Sequence, residues 1–188
     1  MRGLSSFTFQ SVDGFFKGPN EDISWNRHGP EELAFSEAQL ARNHVLVFGR
    51  RTYEHMAAVW PTPEAAARLP AIAVAMNRAE KIVVSNSLRH AAWGPAHIVS
   101  GDVAGAFRAL KAEEGPDLTV LGSAELIRFL CAHRLMDALE IMIYPVAIGA
   151  GTPLFSRLAK PLDFSLTGHR VFSSGTVLLT YAPRAGAP

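Results

Sequence analysis

The chain has 188 residues, with 18 lysines and arginines against 17 acids, a formal charge of +1 and a single cysteine, Cys131. So balanced a charge gives no bulk attraction to nucleic acid or to an anionic membrane. One cysteine excludes an intramolecular disulfide and any zinc cluster built on several thiolates. No apolar run approaches the roughly 20 residues that cross a bilayer, and Met1 to Ser6 has no signal-like apolar core, so one cytoplasmic domain over 1–188 is expected.

In chain order, Leu4 to Gln10 has β character and runs into Ser11-Val12-Asp13-Gly14, whose Asp-Gly pair signals a turn. Phe15 to His28 is rich in Gly, Asn and Pro and reads as an extended loop; loops of that length usually have a task. Gly29-Pro30-Glu31-Glu32 opens a helix that stops near Asn43. Val45-Leu46-Val47-Phe48 is a strand buried on both faces, and Gly49 ends it just before Arg50, Arg51 and Thr52 start a helix. That helix lasts until Trp60-Pro61. Glu64 to Glu80 reads as a short helix and a loop.

Lys81 to Ser85 is the next buried strand, closing on Ser85-Asn86-Ser87, and His97 to Val99 is a further short one. Asp102 can cap the helix that follows. Leu118 to Leu121 is again apolar and again followed by a small-residue turn, Gly122-Ser123-Ala124, before a helix from Glu125 to about His133. Strand, glycine turn, helix therefore occurs twice. Leu139 to Tyr144 is a strand, Ile148 to Pro153 a glycine-rich loop, and Phe164 to Tyr181 carries an antiparallel hairpin around Ser174-Gly175. The whole reads as an α/β protein with an open, mostly parallel sheet and antiparallel strands at one edge.

Ligands of such sheets sit beyond the carboxyl ends of the strands. A helix N-terminus with free backbone amides, joined by Arg50, Arg51 and Thr52, suits a phosphate, although the same residues also make an ordinary basic cap. Ser85 with Asn86, and Gly122 to Glu125, fall at two further strand ends. Three such ends fit a long phosphate-bearing ligand better than a single inorganic anion. There is no Gly-x-Gly-x-x-Gly and no Gly-Lys-Ser/Thr loop, and the seven histidines show no paired ligand spacing, so no metal is expected.

Gly49-Arg50-Arg51-Thr52-Tyr53-Glu54, Lys81 to Ser85, Val120 to Leu126 and Tyr144 to Phe155, with Ser11-Val12-Asp13-Gly14, resemble the dihydrofolate reductase superfamily. Within it they are most similar to standalone relatives of the reductase domain of the riboflavin-biosynthesis deaminase-reductase. The resemblance implies a three-layer fold with a mixed, mainly parallel sheet, helices on both faces, and an NADPH-dependent reductase that forms a homodimer. It places Arg50 on the adenosine 2′-phosphate, and Gly49, Arg51 and Thr52 at the pyrophosphate. Ser85 and Asn86 would flank the adenosine end. Gly122, Ser123, Ala124 and Glu125 would admit the pyrophosphate to the backbone. Unaided by the resemblance, Ser85 also reads as a turn residue and Ser123 as a helix cap.

On the substrate side the same resemblance makes Glu32 the buried catalytic carboxyl, with a raised pKa, and leaves Asp13 as a second candidate. Trp25 and Trp60 are candidates to line the substrate pocket, and Arg27 and Arg157 to meet a ribosyl phosphate. The implied reaction is hydride transfer to a 5-amino-6-(5-phosphoribosylamino)uracil-like pyrimidine. Dihydrofolate or pterin reduction is the alternative within the superfamily, and an NADP(H)-binding module without turnover is the alternative outside enzymes.

Overall fold

The computed structural model describes residues 1–156 and 158–184. The strands are β1 (Leu4–Ser11), β2 (Phe15–Lys17), β3 (His44–Gly49), β4 (Lys81–Val84), β5 (Ala96–Val99), β6 (Asp117–Leu121), β7 (Ala138–Tyr144), β8 (Thr152–Pro153), β9 (Phe164–Val171) and β10 (Val177–Pro183). The helices are α1 (Pro30–Leu40), α2 (Arg50–Val59), α3 (Pro63–Arg68), α4 (Pro70–Arg78), α5 (Val103–Ala112) and α6 (Ala124–Ala132). Eight strands form one sheet in the order β5-β4-β3-β6-β1-β7-β10-β9. Within it β10 is antiparallel to β7 and to β9, and the other pairs are parallel. The expected open sheet with an antiparallel hairpin at one edge is what forms.

The four apolar residues of β3 show why the sheet needs both faces covered. Successive strand side chains point to opposite sides. Val45 and Val47 enter a core with Phe107 of α5 and with Ile127 and Leu130 of α6. Leu46 and Phe48 enter the opposite one with Tyr53 of α2, Ile72 and Met76 of α4, and Trp93. All four are at most 1 % exposed. Each such side chain contributes about 1.5–3 kcal/mol by leaving water. A third cluster, Trp25, Met142, Tyr144, Phe172 and Leu178, seats the C-terminal hairpin. Burial pushes the Cys131 thiol up to about 12, so it is an unreactive packing residue.

Two stretches differ from the sequence expectation. Glu64 to Glu80 is helical almost throughout, as α3 and α4 broken at Leu69; Pro63 and Pro70 both occupy first turns, where no N–H is needed, and Thr62 caps α3 through Ala65 N at 3.2 Å. The loop from Phe15 is also not structureless. Its β2 pairs with β8 from the glycine-rich segment, Phe15 opposite Pro153 and Lys17 opposite Thr152. Neither partner has a strand-like sequence, because the pairing comes from the distant segment and not from local pattern. Among the described residues no helix is long and apolar enough to cross a membrane.

Tyr53 ties α2 to the segment before β5. Its hydroxyl donates to the Trp93 carbonyl at 3.0 Å and accepts from the Trp93 amide at 2.8 Å, with the side chain 3 % exposed. Tyr53→Phe leaves both backbone groups buried and unpaired, so a stability loss of about 1–3 kcal/mol is expected, seen as a lower denaturant midpoint at unchanged slope.

Candidate active site

β6 lies between β3 and β1, yet α2 leaves β3 toward one face and α6 leaves β6 toward the other. A crevice opens where two such connections part. Here it is a cleft of about 740 Å3 walled by Gly49, Arg50, Arg51 and Thr52 on one side and Ser123, Ala124 and Glu125 on the other. Neither helix start carries a side-chain cap. Both therefore present unpaired amides and the positive end of a helix dipole. The Ser123 hydroxyl is used elsewhere: it accepts from Gly49 N at 2.9 Å, which joins the ends of β3 and β6.

Gly122, next to this wall, takes φ +58°, and a Cβ on it would stand 3.3 Å from Thr52 Cγ2 and 3.5 Å from Phe16 Cζ. Glycine is favoured there both by conformation and by space. Arg50 is exposed, with Nη1 3.1 Å from Ser87 Oγ, which places its guanidinium toward the β4 side of the cleft. Ser85 and Asn86 are not in the cleft wall. Ser85 Oγ accepts from Ser87 N and Leu88 N, and Asn86 Oδ1 accepts from Gly101 N. Ser85 serves its own turn, and Asn86 ties that turn to the loop after β5.

The β2–β8 ribbon borders the cleft through Phe16, Lys17, Gly151, Thr152 and Pro153. Its close fit depends on Gly151, at φ +151°, whose missing Cβ would fall 2.0 Å from the Lys17 carbonyl oxygen. Two side chains pin the glycine-rich segment from outside. Asp13 accepts from Ile148 N and Gly149 N at 2.7–3.2 Å, and Arg128 donates to the Leu154 carbonyl at 2.9 Å. Hydrogen bonding, foremost from Ser11 and also from those two amides, holds the exposed Asp13 carboxyl below its usual range. Asp13 is placed as an anchor for this loop, outside both the cleft wall and the cavity described next.

Phe16, Lys17, Glu21, Arg51 and Thr52 also line a second cavity, of about 570 Å3, so the two spaces adjoin. This cavity runs over one sheet face beneath α1, α2 and α4. Its walls are largely apolar, with Phe7, Phe9, Leu33, Met56, Trp60 and Ile72 prominent. Trp60 is in the wall; Trp25 is not, being 8 % exposed in the hairpin cluster with its Nε1 donating to the Asp22 carbonyl. Arg27 is exposed and lies outside both walls, and Arg157 falls outside the described residues.

Glu32 is fully buried on α1, behind the cavity wall. Ser174 Oγ donates to its Oε1, and Oε2 has no partner. Burial raises its pKa, but the Ser174 hydroxyl, with the nearby Glu32 and Gly29 amides and Thr176 hydroxyl, more than offsets this and leaves it below the usual 4.5. The expected raised value is thus replaced by an ionised carboxylate held by the C-terminal hairpin.

Sequence reasoning missed Phe16, Lys17 and the whole ribbon, for which loop length was the one available signal. It also missed His28, which lines the cavity with Nδ1 2.5 Å from Tyr144 Oη. One histidine among seven scattered ones carries no signal of its own.

The chain matches the RibD C-terminal domain over residues 3–178. It belongs to that family. A family relative of similar length, Bacillus subtilis (strain 168) YyaP, itself uncharacterized, is 25 % identical over 171 residues, 91 % of this chain and 89 % of YyaP. A Shewanella sp. PV-4 protein ascribed to riboflavin biosynthesis superposes with a TM-score of 0.77 at 20 % identity, over 97 % of this chain and 99 % of that one. Enterococcus faecalis dihydrofolate reductase, solved with NADP(H), gives 0.63 at 18 % identity over 96 % of each. The architecture of this RibD-type domain is accordingly that of the dihydrofolate reductases.

Two outcomes follow from these contacts. Gly151→Ala is expected to part β2 from β8 and to cost about 1–3 kcal/mol, read as a lower melting temperature with faster amide exchange at the ribbon. Because the folded pKa of Glu32 is depressed, its stabilising effect is complete above the unfolded value near 4.5 and is lost as pH falls through the folded one. Glu32→Gln should therefore weaken the protein near neutral pH and flatten its acid limb in denaturant titrations.

Proposed function

We propose that this RibD-type domain is an NADPH-dependent reductase. The observation that carries the reading is the junction of two spaces. A cleft with two uncapped helix starts, Arg50 and Arg51 opens onto an apolar cavity of ring-accommodating size. Gly122 fits the same reading, since a side chain there would crowd Thr52 and Phe16 where the two spaces meet. The NADP(H) found with the dihydrofolate reductase relative supports it as well.

In this reading Gly49, Arg51, Thr52 and Ser123 to Glu125 hold the pyrophosphate, and Arg50 grips the 2′-phosphate as a planar fork. NADPH bound there supplies hydride to a substrate in the cavity. Phe16 and Thr52 stand where the two ligands meet, and the β2–β8 ribbon keeps water from that junction. Asp13 acts through the loop it fixes, and Ser85 and Asn86 shape the turn beside the adenosine end.

For the substrate, the family favours a riboflavin-pathway pyrimidine of the 5-amino-6-(5-phosphoribosylamino)uracil type. A specific observation favours the second reading, a dihydropterin or dihydrofolate: the cations of the cavity wall are Lys17 and Arg51 at the junction and Arg42 at the far end, with apolar residues between. The binding module without turnover has less support, because Glu32 is buried and a cavity does adjoin the cleft.

Calorimetry with NADPH and NADH tests the cofactor. NADPH should bind the tighter, and Arg50→Ala should weaken NADPH by about 10–100-fold while leaving NADH nearly unchanged. Equal loss for both cofactors overturns the role given to Arg50.

A further inference from the structure

Reducing a C=N bond by hydride, either the ring imine of a dihydropterin or the imine that a ribosylamino group forms when its sugar ring opens, leaves a nitrogen that needs a proton. The two acids expected from sequence do not supply one. Asp13 is bound to loop amides outside the cavity, and Glu32 is ionised behind its wall. From the geometry around His28 we infer that this imidazole is the proton donor, seated by Tyr144 and counter-charged by Glu32. The inference rests on the reductase reading above.

Position comes first. His28 lines the cavity against Phe9 and Tyr144, with ring centroids 4.9 and 5.6 Å away. Phe9 and Tyr144 lie near the carboxyl ends of β1 and β7, the end at which the cofactor cleft opens. Two further histidines line the cavity wall: His44 begins β3 at the opposite end, beside Thr119 and out of reach of that junction, and His55 lies exposed on α2. Of the three, His28 is the one that a hydrogen bond fixes near the carboxyl ends of the strands.

Orientation follows from the hydrogen bonds. The Tyr144 hydroxyl lies 3.3 Å from Met142 Sδ, to which it can donate, and 2.5 Å from His28 Nδ1; in the imidazolium form Nδ1–H donates to the phenol oxygen. Nε2 has no hydrogen-bond partner among the described residues. Burial together with Glu32 raises the Tyr144 pKa, so it stays a neutral phenol and the proton remains on the imidazole side. Burial lowers the His28 pKa and the Glu32 carboxylate opposes that. Glu32 on α1 and Tyr144 on β7 are the titratable groups that face the ring. The outcome is an imidazolium more acidic than a free one, with a nearby carboxylate to stabilise its charge.

The step balances. A hydride, with its two electrons, forms the new C–H bond at the imine carbon as the C=N π bond breaks; for the ribosylamine, cleavage of the sugar C1′–O bond, with the amine proton passing to the ring oxygen, forms that imine first. The nitrogen takes the Nε2 proton, leaving neutral imidazole that regains a proton from water. One NADPH and one proton are consumed per double bond.

The test compares the wild type, His28→Gln and Tyr144→Phe. NADPH binding is measured by calorimetry, and NADPH oxidation with 5-amino-6-(5-phosphoribosylamino)uracil and with 7,8-dihydrofolate is followed through the imidazole's titration range. The His28 ring is also titrated by nitrogen-resolved NMR in the cofactor-free protein, with and without Glu32→Gln. Expected are unchanged NADPH affinity in His28→Gln, kcat/KM down by about 100-fold or more with loss of the fall toward high pH, and a lower His28 pKa in Glu32→Gln. Tyr144→Phe should bind NADPH normally and shift the pH profile. Intact NADPH binding with an unaltered pH profile in His28→Gln overturns the donor role and leaves the reductase reading standing. NADPH binding without reduction of either probe also overturns it. If the wild type binds no NADPH, the parent reading fails and this inference fails with it.

Discussion

The 2.9 Å hydrogen bond from the Gly49 amide to the Ser123 hydroxyl is the tie on which the candidate site depends. It fastens the end of β3 to the end of β6 just where their helices part to opposite faces. With its hydroxyl spent there, Ser123 cannot cap α6, and its backbone takes a left-handed conformation at φ 59°, ψ 54°. That conformation is costly for a residue with a side chain, by about 1–2 kcal/mol. A strained residue and two uncapped helix starts in one cleft are hard to explain by stability alone and simple to explain as a seat for phosphates.

The cleft itself exists only because the sheet is covered on both sides. Buried parallel strands commit α5 and α6 to one face and α2 and α4 to the other, so β6 can enter between β3 and β1 only by leaving a gap at their carboxyl ends. The apolar cavity comes from the same arrangement, since α1 and α4 cover the sheet face without filling the space over Phe7 and Leu121. The C-terminal hairpin adds Ser174 to Glu32 and helps seat the cluster that holds Tyr144. The strand end that carries Tyr144 is thereby connected to the last elements of the chain.

The residues that sequence could identify are those whose neighbours in the chain are also their neighbours in space. Arg50, Arg51 and Thr52 follow a buried strand and a glycine, and Gly122 to Glu125 do the same, so local order alone places them at strand ends. Ser85 and Asn86 follow the same rule, but Ser85 satisfies its own turn through Ser87 and Leu88, and Asn86 reaches Gly101 beyond β5. Whether a hydroxyl turns inward or outward is a matter of one rotamer, and composition does not carry it. Glu32 was legible as buried, yet its ionisation was not, because Ser174 lies far away in the chain.

Sequence by itself determined the order of the eight main-sheet strands, the terminal hairpin and two of the walls of the candidate cleft, because hydrophobic period and glycine turns act over a few residues. Tertiary structure alone decided the β2–β8 ribbon, the charge state of Glu32, the anchoring role of Asp13 and the placement of His28 against Tyr144. Each of these rests on a contact between segments far apart in the chain, where hydrogen-bond geometry and burial decide the outcome and local pattern is silent.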